Sequence, residues 1–117
     1  MVLGSTDLTH YGANYGFSPK GRGKSALEWV KTVNDAAFIS AVLAGDPSLA
    51  LKLAEEDYSA CSAGAVLGAL GFTSDFRIKA KLLDYKTSAD AGKSSGFKDI
   101  SGEDVPDSFV GYAAFKF

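Results

Sequence analysis

The sequence predicts an α/β fold, a sheet with helices packed on it, and three observations carry that expectation. Met1-Val2-Leu3 opens an apolar run to Leu8 that closes on polar residues and glycines, as a buried strand does where it delivers ligands. Apolar residues recur at helical spacing from Ala26 into the middle of the chain. A period of two returns near Phe76, and aromatic residues recur from Phe109 to Phe117, both signs of strand.

Val2 to Leu8 reads as a short strand buried on both sides. Thr9 to Gly23 reads as a loop, since Gly12, Gly16, Gly21 and Gly23 crowd out regular structure. From about Ser25 a helix follows, with Ala26, Trp29, Val30 and Val33 on one side and Lys24, Glu28 and Lys31 between them. Asn34-Asp35 reads as a cap-like interruption that starts a second helical segment. That segment is apolar on most sides, from Ala36 to Leu43, which suits a buried helix.

Gly45 ends it, and Asp46-Pro47 pairs an N-cap with proline at the first helical position. The next helix, Pro47–Glu56, is expected to turn Leu49, Ala50 and Leu53 inward. After a connection at 58–61, Ser62 to Leu70 reads as a helix of small residues, with Gly71 as its C-cap. Phe76, Ile78, Ala80 and Leu82 alternate with Arg77, Lys79 and Lys81, a half-exposed strand that Leu83 to Thr87 prolongs. Ser88 to Asp107 reads as a long polar loop, and Ser108 to Phe117 as the final strand.

A chain of 117 residues is the size of one compact domain, and residues 1–117 are read as one. Hydrophobic residues make up 46% and charged residues 22%, the balance of a globular protein rather than a disordered one. Net charge of -2 gives no electrostatic case for nucleic acid or an anionic membrane. One cysteine cannot form an internal disulfide, which favours the reducing cytoplasm. The N-terminus lacks the basic and long apolar regions of a secretory signal, and the apolar run near Ala36–Leu43 is too short to span a bilayer.

The candidate site residues are Asp7, His10 and Cys61. A carboxylate and an imidazole three residues apart can share one rim, where the acid fixes the tautomer and charge of the ring. The bland alternatives are a turn cap for Asp7 and a hydrogen-bonded structural residue for His10. Cys61 is either a small core filler or, at a helix N-terminus, a thiol whose lowered pKa favours metal binding or reaction. One histidine and one cysteine are too few for a transition-metal centre without carboxylates or another chain. Gly23-Lys24-Ser25 is not a phosphate loop, because the position five residues before Gly23 is Ser18 rather than glycine.

Four separated segments resemble the C-terminal part of the Memo-like family, known in microbes as AmmeMemoRadiSam system protein B. They are Ser5-Thr6-Asp7-Leu8-Thr9-His10-Tyr11-Gly12, Ser59-Ala60-Cys61, Leu82-Leu83-Asp84-Tyr85-Lys86-Thr87-Ser88 and Val110-Gly111-Tyr112-Ala113-Ala114. The resemblance implies a fold like the class III extradiol ring-cleavage dioxygenases and a pocket that binds iron, copper or zinc. It further implies that Cys61 is the metal-binding cysteine and that Asp7 and His10 line the same pocket in catalytic roles. Two departures stand beside it. The family's two upstream histidines have no counterpart here, and Cys61 is followed by Ser62 where the family usually has glycine.

Two functions follow as expectations. One is a redox or hydrolytic metalloenzyme with this chain as its C-terminal half. The other is a non-enzymatic module that binds a peptide or small ligand after losing the metal. Reading Val2–Leu8 as an inner strand without upstream neighbours also predicts a homo-oligomer, or a complex with a missing N-terminal half.

Overall fold

The computed structural model describes residues 2–56, 60, 64–74, 79–90 and 105–117. Strand β1 (Leu3–Gly12) leads through a 3-10 turn (Ala13–Tyr15) to helix α1 (Lys24–Trp29). A π-helical turn (Val30–Asn34) joins α1 to α2 (Asp35–Leu43) without a break. Helices α3 (Pro47–Glu56) and α4 (Gly64–Ser74) follow, then strands β2 (Lys81–Thr87) and β3 (Ser108–Lys116). The architecture is mixed α/β, as the sequence predicts. The sheet is antiparallel, in the order β1-β3-β2, so the last strand lies between the other two.

One face of the sheet is sealed by the helices. Leu8, Ala113 and Phe115 from the strands, with Phe117 just past β3, meet Phe38 and Val42 of α2 and Val66 of α4 in the main core. A smaller cluster lies beyond it, where Tyr11 stacks on Phe109 at 5.1 Å between ring centroids and packs with Ala26 and Val30. The Tyr11 hydroxyl accepts from the Lys20 N–H and donates to the Gly21 carbonyl, both at 2.9 Å, which ties the glycine-rich loop to the strand. Gly12 is required where β1 ends: its φ is +113°, and a Cβ there would lie 2.1 Å from the Asp107 carbonyl oxygen.

Several local expectations change. β1 is not buried on both sides: its residues alternate, and it runs four residues past Leu8 because β3 pairs with it as far as Gly12. It lies at an edge of the sheet rather than inside it. Asn34-Asp35 does not cap a second helix; both residues have right-handed helical backbone, and neither caps through its side chain. Tertiary partners claim those side chains instead.

Gly45 does end α2 with a positive φ of 70°, and the Asp46 carboxylate accepts the Leu49 N–H at 3.0 Å as the N-cap of α3. Within α3, Ala50 is buried and Leu53 half-buried, whereas Leu49 is exposed. Helix α4 passes through Gly71 instead of ending there. Strand β2 begins at Lys81, while the expected strand positions Phe76 to Ile78 lie outside the described residues. Residues 91–104 of the polar stretch Ser88 to Asp107 do too, although 88–90 form a helical turn.

Candidate functional site

A β-bulge decides how the predicted acid and imidazole are displayed. Asp7 pairs with Tyr112 and His10 with Val110, so Leu8 and Thr9 together oppose the single residue Gly111. In a regular strand, residues three apart point to opposite faces. The extra residue resets the alternation. Leu8 and Thr9 both turn into the buried side, and Asp7 and His10, each half-buried, fall on the outer face. Asp7 lies within β1 as expected, and His10 lies within it too rather than on the loop after it. The His10 Nδ1 lies 3.1 Å from the Leu8 carbonyl oxygen, and its ring meets the Tyr15 ring edge-on at 4.9 Å.

The outer face carries a shallow groove of about 400 Å³. Its lining comes from all three strands: Ser5, Thr6 and Asp7 of β1, Asp84 and Lys86 of β2, and Tyr112 with its two following alanines on β3. Two carboxylates, one ammonium and one phenol around small residues can hold a ligand of mixed polarity. All eight lining residues fall within three of the four segments that carry the family resemblance. Those segments are distant in the chain and adjacent in the sheet. Cys61, the candidate metal ligand, lies outside the described residues. Among the described residues no three His, Cys, Asp or Glu side chains converge as a metal-ligand set.

Directly beneath the bulge is a polar cluster that sequence reading missed. Asp35, fully buried, accepts the Thr9 N–H at 3.0 Å and the Thr9 hydroxyl on Oδ1, and the Tyr85 hydroxyl at 2.6 Å on Oδ2. Asn34 donates from Nδ2 to the Thr9 hydroxyl oxygen at 2.8 Å. Burial pushes the Asp35 carboxyl above its ordinary range, outweighing the opposing hydrogen bonds from Thr9 and Tyr85. The available signal was an Asn-Asp pair inside an otherwise apolar helical pattern, a place where polar residues need a tertiary partner.

The fold is a mixed α/β unit, a three-stranded antiparallel sheet with helices packed on it, and the groove lies on its outer face. The chain is 29% identical to the MEMO1 family protein PH1626 of Pyrococcus horikoshii over 97% of its length, which bears out the resemblance. It spans only 36% of that relative. No protein-family model and no solved structure matches the chain. Among the described residues, no helix is long and apolar enough to cross a membrane.

Proposed function

We propose that the outer-face groove is this chain's share of a Memo-like pocket, with Asp7 of its lining as the acid, His10 on the same face beside it as the imidazole, and Cys61 as the metal-binding thiolate. Convergence carries the reading: residues from three distant segments that resemble one family line a single depression. Asp7 supplies a carboxylate acceptor beside a ligand, and His10, on the same face, an imidazole that can donate or accept a hydrogen bond. A bound iron, copper or zinc would supply Lewis-acid or redox chemistry. His10 and Cys61 are two donors and make no centre by themselves. The remaining ligands would come from carboxylates of this chain, from the N-terminal part of a Memo-like protein, or from a second copy in a homo-oligomer. A single cysteine kept reduced fits the cytoplasm.

Titrating the protein with Co²⁺ tests this reading by absorption, alone and with the N-terminal part of a Memo-like protein supplied. A thiolate-to-cobalt band that disappears in Cys61→Ser and weakens in His10→Ala is the expected result. Equal binding by the parent and Cys61→Ser removes Cys61 as a ligand.

A second reading is favoured by the groove's mixed lining of Lys86, Asp84 and Tyr112. Here the metal-free protein binds a peptide or small polar ligand and catalyses nothing. Saturable binding in an NMR fragment screen, lost in Asp7→Ala without any metal present, supports it; saturable binding unchanged in that variant excludes the groove.

A further inference from the structure

Two insertions in regular backbone meet at one threonine. The bulge in β1 places Leu8 and Thr9 opposite Gly111, which takes a backbone N–H out of the ladder on the buried side. The π-helical turn Val30–Asn34 is an extra residue wound into the long helix, and Asn34 and Asp35 emerge from it facing that bulge. Asp35 then takes the displaced Thr9 N–H and the Thr9 hydroxyl, while Asn34 donates to that same hydroxyl. Gly111 leaves the space for this: a Cβ there would lie 2.2 Å from Asp35 Oδ2.

The geometry points to Asp35 as a positioning residue, whose carboxylate holds the Leu8–Thr9 bulge in place and so keeps Asp7 and His10 on one face. The inference rests on the reading that Asp7 and His10 serve one pocket. Asp35 touches no ligand; it acts through Thr9. Ironing the bulge out would slip one half of β1 by a residue and send Asp7 and His10 to opposite faces. An apolar residue at position 35 would stabilise the core locally while leaving Thr9's donors buried without acceptors.

The experiment is cross-strand NMR on the 117-residue chain, comparing the parent with Asp35→Asn and Asp35→Leu. Asn retains an acceptor oxygen of the same shape; Leu does not. His10 is expected opposite Val110 in the parent and Asp35→Asn, and displaced from it in Asp35→Leu, with the Leu3–Asp7 half still ordered. Exchange of the Thr9 amide is expected to accelerate by about tenfold in Asp35→Leu, as for loss of one native hydrogen bond. A folded Asp35→Leu with His10 still opposite Val110 overturns the proposal. Should Asp35→Leu not fold, Thr9 amide exchange in the parent decides: protection supports the clamp, and exchange as fast as in an unstructured peptide overturns it. Failure of the pocket reading would instead appear as Co²⁺ binding equal in the parent, Cys61→Ser and His10→Ala, with strand pairing untouched.

Discussion

The Tyr85 hydroxyl donates to Asp35 Oδ2 at 2.6 Å, joining strand β2 to helix α2 beneath the groove. Burial first, and the neighbouring Asp35 charge second, hold the phenol above its ordinary range, so it stays a donor at neutral pH. Groove and buried cluster are thus two sides of one strand: Asp84 and Lys86 face outward, and Tyr85 between them reaches in.

Tyr85→Phe removes that donor and leaves a buried carboxylate oxygen short of a partner. The expected loss is about 1–3 kcal/mol of stability. Urea unfolding should show a lower midpoint at an unchanged slope.

Asp35 gives stability a pH dependence of definite sign. Its carboxyl titrates higher in the folded protein than in the unfolded chain. Its contribution is therefore full below the ordinary aspartate range and is lost as pH rises through the raised folded value. Urea midpoints of the parent measured against Asp35→Asn should converge downward for the parent across that window. A difference that stays flat, or grows with pH, would contradict this.

Asp90 acts in the opposite direction. Burial raises its pKa, but the Thr87 backbone N–H, the Lys31 ammonium and the Thr87 hydroxyl outweigh burial and hold it below the ordinary value. Lys31 Nζ lies 3.0 Å from the carboxylate, linking the π-helical turn to the helical turn that follows β2. The stability it contributes is present above the ordinary aspartate range and is lost as pH falls through the lowered value. Asp90→Asn should flatten the acid limb of the stability profile.

Gly111→Ala forces a methyl into the space of the Asp35 carboxylate, and overpacking of this kind costs about 1–3 kcal/mol. The cost should shrink when Asp35 is shortened to Ser in the same chain. Thermal melts of the two single variants and the double variant would measure the coupling; simple additivity would show that Gly111 is small for another reason.

Asp7→Ala separates binding from folding. Asp7 is half-buried on the outer face, outside both hydrophobic clusters, so stability should change by no more than about 0.5 kcal/mol. Calorimetric binding of a groove ligand should fall with the melting temperature unchanged.

The amino-acid sequence by itself determined what local chemistry can specify. Asp46-Pro47 started a helix because an N-cap and a fixed φ act within one turn, and Gly45 stopped one because it adopts a positive φ cheaply. The aromatic run 108–117 announced a strand, and the Memo-like segments were legible as words in order. Tertiary structure decided the rest. Nothing local in Asp7-Leu8-Thr9-His10 announces a bulge, because the bulge exists only where Gly111 pairs with two residues and Asp35 accepts the spare N–H. Asn34-Asp35 looked like a cap for the same reason: a cap is satisfied by its own backbone, whereas these side chains are satisfied by a strand 25 residues earlier, a partner that only folding supplies.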